Sequence, residues 1–256
     1  MAERARPTFI IGGAPRAGTN FLCHALDRHP DVYMAKPYMP EPKVFMGPEQ
    51  PWPEYARRYA ALFAAAGDRA ALGEKTSYYL EHEAACALIA RHLPDVRMLF
   101  IVREPVARAY SNYLWTRKNG LETLVFEEAV RLEGQRPSPL PPDREYARPY
   151  DYVPRGRYDL FAARWFDALG RDRVRFVLYE DVVARPEPLL AGIQDFIGVR
   201  RVTLGADDLG VINSAREMGP PLEAATEKTL RERMAPSVRR FAALTGLDVS
   251  PWGYPA

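Results

Sequence analysis

Short apolar runs alternate with amphipathic stretches along the whole chain. Thr8-Phe9-Ile10-Ile11-Gly12 is apolar at successive positions and ends in glycine, which predicts a buried strand. The turn GAPRAG follows at 13–18, and then Thr19 to Asp27 places Phe21, Leu22, Ala25 and Leu26 at helical spacing. Strand, glycine-rich turn and helix together open an α/β sheet. His29-Pro30 stops that helix, and Val32 to Met34 reads as a second short strand. Six prolines between 36 and 53 predict an extended, non-helical stretch. Helical patterns follow over 54–66 and 81–92, with a strand edge at 71–76 between them. Arg97-Met98-Leu99-Phe100-Ile101-Val102 is apolar on both faces, as a central parallel strand requires. Pro105 suits the first turn of a helix running to about Asn119. Six further prolines in 133–155 predict a long loop or lid, carrying Tyr146, Tyr150 and Tyr152. A helix over 156–170, a strand over 174–179, a helix over 186–198 and two helices broken at Pro236 within 223–245 complete the pattern. Strands alternate with helices and nothing repeats. The expectation is an α/β fold, a single P-loop-type domain over 1–256 with a central parallel sheet flanked by helices.

Composition narrows the function classes. A chain of 256 residues, 47% hydrophobic and 27% charged, can bury a sizeable core. No run reaches the roughly 18 consecutive apolar residues of a membrane span. MAERARPTF lacks the apolar region of a secretory signal, and Cys23 and Cys86 make neither a disulfide framework nor a metal cluster. A cytoplasmic setting without metal is therefore expected. A net charge of +2 argues against a nucleic-acid binder on bulk charge. Lysines stand only at 36, 43, 75, 118 and 228, so most of the 35 basic residues are arginine. Abundant Ala and Pro point to gene composition as the cause, so each arginine has to be argued on its own.

GGAPRAGTN has the G-x-x-x-x-G spacing of a phosphate-cradling loop at Gly13 and Gly18. Thr19 stands where a Walker lysine would be, and the cation is displaced to Arg16. Backbone N–H groups of Ala14, Arg16, Ala17, Gly18, Thr19 and Asn20, around Pro15, can take an anion at the helix N-terminus. The strand 97–102 ends in Arg103 rather than in an aspartate that would hold Mg²⁺. Arginine there suits a second phosphate, and Ser111, eight residues on, lies two helical turns into the segment that follows.

These segments resemble the PAPS-dependent sulfotransferases, in their carbohydrate and bacterial branch. GAPRAGTNFL is similar to their 5′-phosphosulfate loop, and REPVARAYSNY to their 3′-phosphate motif. GRYDLFAARWFDALGRDRVRFVLYEDV resembles the family's Gly-x-Tyr helix and following strand, so the likeness covers about residues 8 to 200. It implies 3′-phosphoadenosine 5′-phosphosulfate (PAPS) as cosubstrate, two phosphate subsites and no metal. MPEPKVFM resembles the segment that carries the base, which implies Glu41 as general base. Pro40 and Lys43 depart from that segment's usual Lys and His, and Arg16 and Asn20 depart from the loop's usual residues. GEKTSYYL resembles the segment that places Lys75 beside the transferring group, and Arg216 falls where a loop closes over the nucleotide's 3′ end. His24 and His29 are secondary base candidates. The implied acceptor is a small molecule, glycoside or lipid precursor bearing a hydroxyl or, less readily, an amine. A small-molecule kinase and a non-catalytic nucleotide-binding module are the alternatives. The missing Walker lysine and Arg103 disfavour the kinase. The module gains if Glu41 points away from the loop.

Overall fold

Residues 9–13 pair with two other strands, with a register shift between Ile11 and Gly13, and the sheet is built outward from that strand. The computed structural model describes residues 6–204 and 220–254. In chain order the elements are β1 (Phe9–Gly13), α1 (Thr19–Asp27), β2 (Val32–Met34), α2 (Trp52–Leu62), β3 (Ala71–Lys75), α3 (Glu83–His92) and β4 (Arg97–Val102). They continue as α4 (Pro105–Lys118), α5 (Phe126–Arg131), α6 (Tyr158–Leu169), β5 (Val174–Leu178), α7 (Tyr179–Ala184), α8 (Pro186–Ile197) and α9 (Ala224–Thr245). The strands form one sheet in the order β2-β3-β1-β4-β5, parallel at every pairing. The α/β class and the helix-flanked parallel sheet read from the sequence are those observed. No helix among the described residues is long and apolar enough to cross a membrane.

The described chain forms two compact units. One is drawn from residues up to Val102 and from Arg164 to 204, the other from Arg103–Ala163 and from 220 onward. In the first, alternate strand residues bury opposite faces of the sheet. Phe9, Ile11, Leu99, Ile101 and Val177 pack under Phe21, Leu22, Ala25 and Leu26 of α1 and Leu190, Ile193 and Ile197 of α8. On the other face Phe100 meets Phe176 and the Trp165 ring of α6, each at 5.0 Å between centroids. Gly73 of β3 leaves room for the Phe9 ring and the Met34 sulfur, which occupy the space a Cβ would need.

In the second unit, Val106, Tyr113, Phe126, Tyr152, Leu230 and Met234 share a core. Glu122 is sealed inside this unit. It takes two hydrogen bonds from Arg136, at 2.9 and 2.7 Å, and one from the Tyr152 hydroxyl at 2.7 Å. Burial alone would raise its carboxyl, but the hydrogen bonds from Arg136 and Tyr152 outweigh it and hold the pKa at about 2.

Several element boundaries differ from expectation. The helix over 54–66 is Trp52–Leu62, because Pro53 is tolerated in a first turn. Tyr179 begins α7 instead of ending β5. The helix over 156–170 starts at Tyr158, after a 3₁₀ turn at Pro154–Gly156. Pro236 does not divide α9, which is one helix of 22 residues. Met234, Ala235, Ser237, Val238 and Phe241 are buried on both sides of that proline, so packing outweighs the amide it removes. Within 135–155, Pro142–Ala147 is a 3₁₀ turn. Tyr152 is fully buried, and the Tyr150 hydroxyl donates to the Leu121 carbonyl at 2.8 Å. Of the three tyrosines on this expected lid, Tyr152 therefore turns inward, and its polar tip serves Glu122.

Candidate active site

The candidate site lies at the carboxyl ends of β1 and β3. Crevices outside strand ends beside a switch in strand order are where open parallel sheets bind ligands. The loop after β1 is held tightly. Ala14 N–H donates to the Ile101 carbonyl at 2.6 Å, and Ala17 N–H to the Ala14 carbonyl at 3.2 Å. Gly13, Arg16 and Gly18 have φ of 148°, 69° and 96°. A Cβ on Gly13 would stand 2.7 Å from the Ser77 carbonyl oxygen, so only glycine fits there. Arg16 holds the left-handed conformation with a side chain, the kind of backbone strain that concentrates at ligand loops. Pro15, between them, is half-buried.

Helix α1 starts on Gly18 without a side-chain cap, and its first ladder bond runs from Leu22 N–H to the Gly18 carbonyl. The N–H groups of Thr19, Asn20 and Phe21 thus precede any helical acceptor and point out of the N-terminus. Those donors, the tight glycine positions and the dipole of a nine-residue helix fit a phosphate group.

Five side chains gather at this helix start. Lys75 Nζ donates to Asn20 Oδ1 at 2.6 Å and lies 3.0 Å from Glu41 Oε1. Ser77 Oγ donates to Glu41 Oε1 at 2.7 Å, and Ser77 N–H to Glu41 Oε2 at 3.1 Å. The Thr19 hydroxyl is 3.0 Å from Ser77 Oγ. The Lys75 and Glu41 side chains are only 4% and 9% exposed. An ion pair this sequestered keeps most of its Coulomb attraction, and removing one partner strands the other. Glu41 points toward the phosphate loop, the orientation that disfavours a module lacking its base. Lys75 does not pair with Glu74, which lies on the opposite side of β3 against Tyr59, Thr76 and Tyr79.

Ser77 and Thr76 were not singled out in the sequence. The signal was available in the strand's period of two: in Glu74-Lys75-Thr76-Ser77, residues 75 and 77 share one side and 74 and 76 the other.

Arg103 directly follows β4, and its carbonyl accepts the Tyr158 hydroxyl at 3.0 Å. Glu104 caps α4, accepting Val106 N–H at 3.0 Å and Ala107 N–H at 2.6 Å. Ser111 is buried within α4. Both Arg103 and Ser111 belong to the second unit, whereas the loop, Glu41 and Lys75 belong to the first. Arg216 lies outside the described residues. His29 is buried, with Nε2 2.8 Å from the Arg200 carbonyl and Nδ1 accepting Asp31 N–H at 3.0 Å. His24 is exposed and sets its ring edge-on to Tyr38 at 4.9 Å. Burial pushes the Cys23 and Cys86 thiols up to about 12, so both stay protonated packing groups.

A parallel sheet, a glycine-rich strand-to-helix loop without a Walker lysine and a buried Lys–Glu pair beside it make a P-loop-type fold. The sequence signature of the Sulfotransferase family matches residues 46–203, more than half of the chain, and the chain belongs to that family. It is an enzyme of the sulfotransferase class. Human heparan sulfate glucosamine 3-O-sulfotransferase 6 is 27% identical over 98% of this chain and 75% of its own length. The chain spans about half the length of the other human heparan sulfate 3-O-sulfotransferases it matches. A sulfotransferase from Alicyclobacillus acidocaldarius superposes with a TM-score of 0.76 at 26% identity, covering 97% of this chain and 99% of that one. Mouse sulfotransferase SULT7A1, solved complexed with PAP, shares the fold with a TM-score of 0.50 at 16% identity, over 84% of this chain and 65% of its own.

Proposed function

We propose that this enzyme moves a sulfuryl group from PAPS to the hydroxyl of a glycoside, with Glu41 as general base. The observation that carries the reading is the Glu41 carboxylate, 3.0 Å from Lys75 and joined through Ser77 to the first residue of the phosphate-loop helix. When bound, PAPS supplies the sulfuryl group and the two phosphate groups. The N–H groups of Thr19 and Asn20 and the Thr19 hydroxyl would hold the 5′ end, with Gly18 and Arg16 shaping the turn before them. The Ala14 and Ala17 N–H groups are engaged by backbone carbonyls and do not serve as donors there, and Pro15 has none. Arg103 and Ser111 are assigned the 3′-phosphate, since a guanidinium takes a phosphate bidentately, and Arg216 is proposed for the same end. Lys75 and Arg16 are assigned to the charge that develops around the transferring group. Glu41 would take the acceptor's hydroxyl proton. Its Oε2 accepts the Ser77 N–H and keeps a second lone pair for that proton. Among the acceptor classes, the glycoside is favoured by the name of the human relative, which acts on a glucosamine hydroxyl.

Calorimetry on Arg103→Ala tests the assignment. Binding of 3′-phosphoadenosine 5′-phosphate (PAP) should weaken by about 1.5–3 kcal/mol, the worth of a hydrogen bond to a charged group. Binding of adenosine 5′-phosphosulfate, which lacks the 3′-phosphate, should barely change. Equal weakening of both removes Arg103 from the 3′ site. Sulfate transfer from PAPS to a heparan sulfate hexasaccharide, followed by mass spectrometry, tests the reaction itself. Mg²⁺-dependent ATP turnover in place of transfer would favour a kinase.

A further inference from the structure

Glu74 is fully buried and has no role in the reaction as proposed. Its carboxylate accepts hydrogen bonds from three hydroxyl groups. Thr76 Oγ1 and Tyr79 Oη each donate to Oε1 at 2.8 Å, and Tyr59 Oη donates to Oε2 at 2.5 Å. Two of these hydroxyls are also acceptors. Thr76 Oγ1 takes the Lys43 N–H at 3.0 Å, and Tyr79 Oη takes the Phe45 N–H at 3.1 Å. The same short segment is gripped through its carbonyls by Arg58, which donates to Val44 O at 2.9 Å and Pro42 O at 3.0 Å. Glu41 begins this segment.

We propose that Glu74 is a positioning residue for Glu41, acting through Thr76 and Tyr79 to fix the 42–45 backbone. This rests on the reading of Glu41 as the base. A hydroxyl has one proton and accepts through its lone pairs. With the carboxylate accepting the hydrogen bonds of Thr76 and Tyr79, their lone pairs are turned toward the Lys43 and Phe45 amides. Each hydroxyl polarised by a charge accepts more strongly, so the bonds of the chain reinforce one another. Burial raises the Glu74 carboxyl above its ordinary value, and the hydrogen bonds from Tyr59, Thr76 and Tyr79 oppose that rise. Lys43 holds a left-handed φ of 50° on a residue with a side chain, a conformation that persists only where surrounding bonds impose it. Clamping at the amide side and the carbonyl side supplies that constraint. Glu74 and Lys75 thus divide the work of one strand end: Lys75 pairs with the base directly, and Glu74 holds the peptide on which the base is mounted.

Amide hydrogen exchange and turnover read the clamp separately. Thr76→Val should lower protection at Lys43, and Tyr79→Phe at Phe45, each by about tenfold for one lost hydrogen bond. Glu74→Ala should lower both together. Glu74→Gln should keep both, because its Oε1 can accept Thr76 and Tyr79 while its amide donates to Tyr59. Transfer from PAPS to the heparan sulfate hexasaccharide should fall about 10²-fold in Glu74→Ala, the cost of a base displaced by an ångström, with PAP affinity unchanged. Glu74→Gln should recover most of that loss. In a Glu41→Gln background, adding Glu74→Ala should cost nothing further. The proposal is overturned if both amides keep wild-type protection in Glu74→Ala, or if that substitution costs the same factor with and without Glu41. Should Glu74→Ala fail to fold, unchanged amides in both Thr76→Val and Tyr79→Phe overturn it equally. Wild-type turnover in Glu41→Gln would remove the base assignment alone, and the amide pattern would still decide the clamp.

Discussion

Glu41→Gln is expected to cut turnover by roughly 10²–10⁴-fold, the span that a positioned general base supplies. The substitution keeps size and removes the charge. The site amplifies the change, because Lys75 and the Ser77 amide both donate to the carboxylate. A glutamine can offer its oxygen to only one of them and sets its own N–H groups against the other. PAP affinity should stay nearly constant, since the donors of the phosphate loop are untouched. Single-turnover transfer and calorimetric titration separate these effects. Turnover close to wild type would reject Glu41 and leave His24 as the exposed alternative. His29 has both ring nitrogens engaged inside the fold, which leaves neither to take the acceptor's proton.

The second large effect is on stability. Glu122→Ala should cost about 3–5 kcal/mol, the penalty for removing one partner of a buried ion pair. Arg136 loses a bidentate partner and the Tyr152 hydroxyl loses its acceptor. The pH dependence has a definite sign. The folded pKa of about 2 lies below the ordinary value of 4.5, so the contribution is complete above 4.5 and fades as pH falls toward 2. Urea titrations at neutral pH and near pH 3 should therefore show the gap between wild type and Glu122→Ala narrowing in acid. A gap under about 1 kcal/mol at neutral pH, the worth of an exposed pair, would show that this network does not hold the unit together. The prolines of 135–155 suggest a free lid, yet Tyr152 ties the end of that segment to the same carboxylate. Its backbone N–H also donates to Glu133 at 2.5 Å.

The strand–loop–helix opening and the strand 97–102 were legible because their patterns are local: apolar runs closed by glycine or by Arg-Glu-Pro. Glu41 and Lys75 were legible only through resemblance, since a glutamate among prolines has no distinguishing period. What joins them is a pairing across 34 positions of sequence, which periodicity does not encode. The Glu74 cluster was hidden for a similar reason. A glutamate beside a lysine reads as a surface pair, and only the alternation of an extended strand sends the two to opposite sides. Pro236 misled because local propensity forbids it in a helix interior, while the buried residues on either side were visible only in three dimensions.

Gly73 constrains how this enzyme can diverge. Every residue reachable from a glycine codon by one base change carries a Cβ, and that atom would overlap the Phe9 ring and the Met34 sulfur. Position 73 can therefore drift only after a neighbour on β1 or β2 has first become smaller. Three strands are bound into one evolutionary unit two residues ahead of Lys75. Variation among descendants should accumulate instead in the loops that reach the site from beyond the strand ends, where a new acceptor can be accommodated without repacking the sheet.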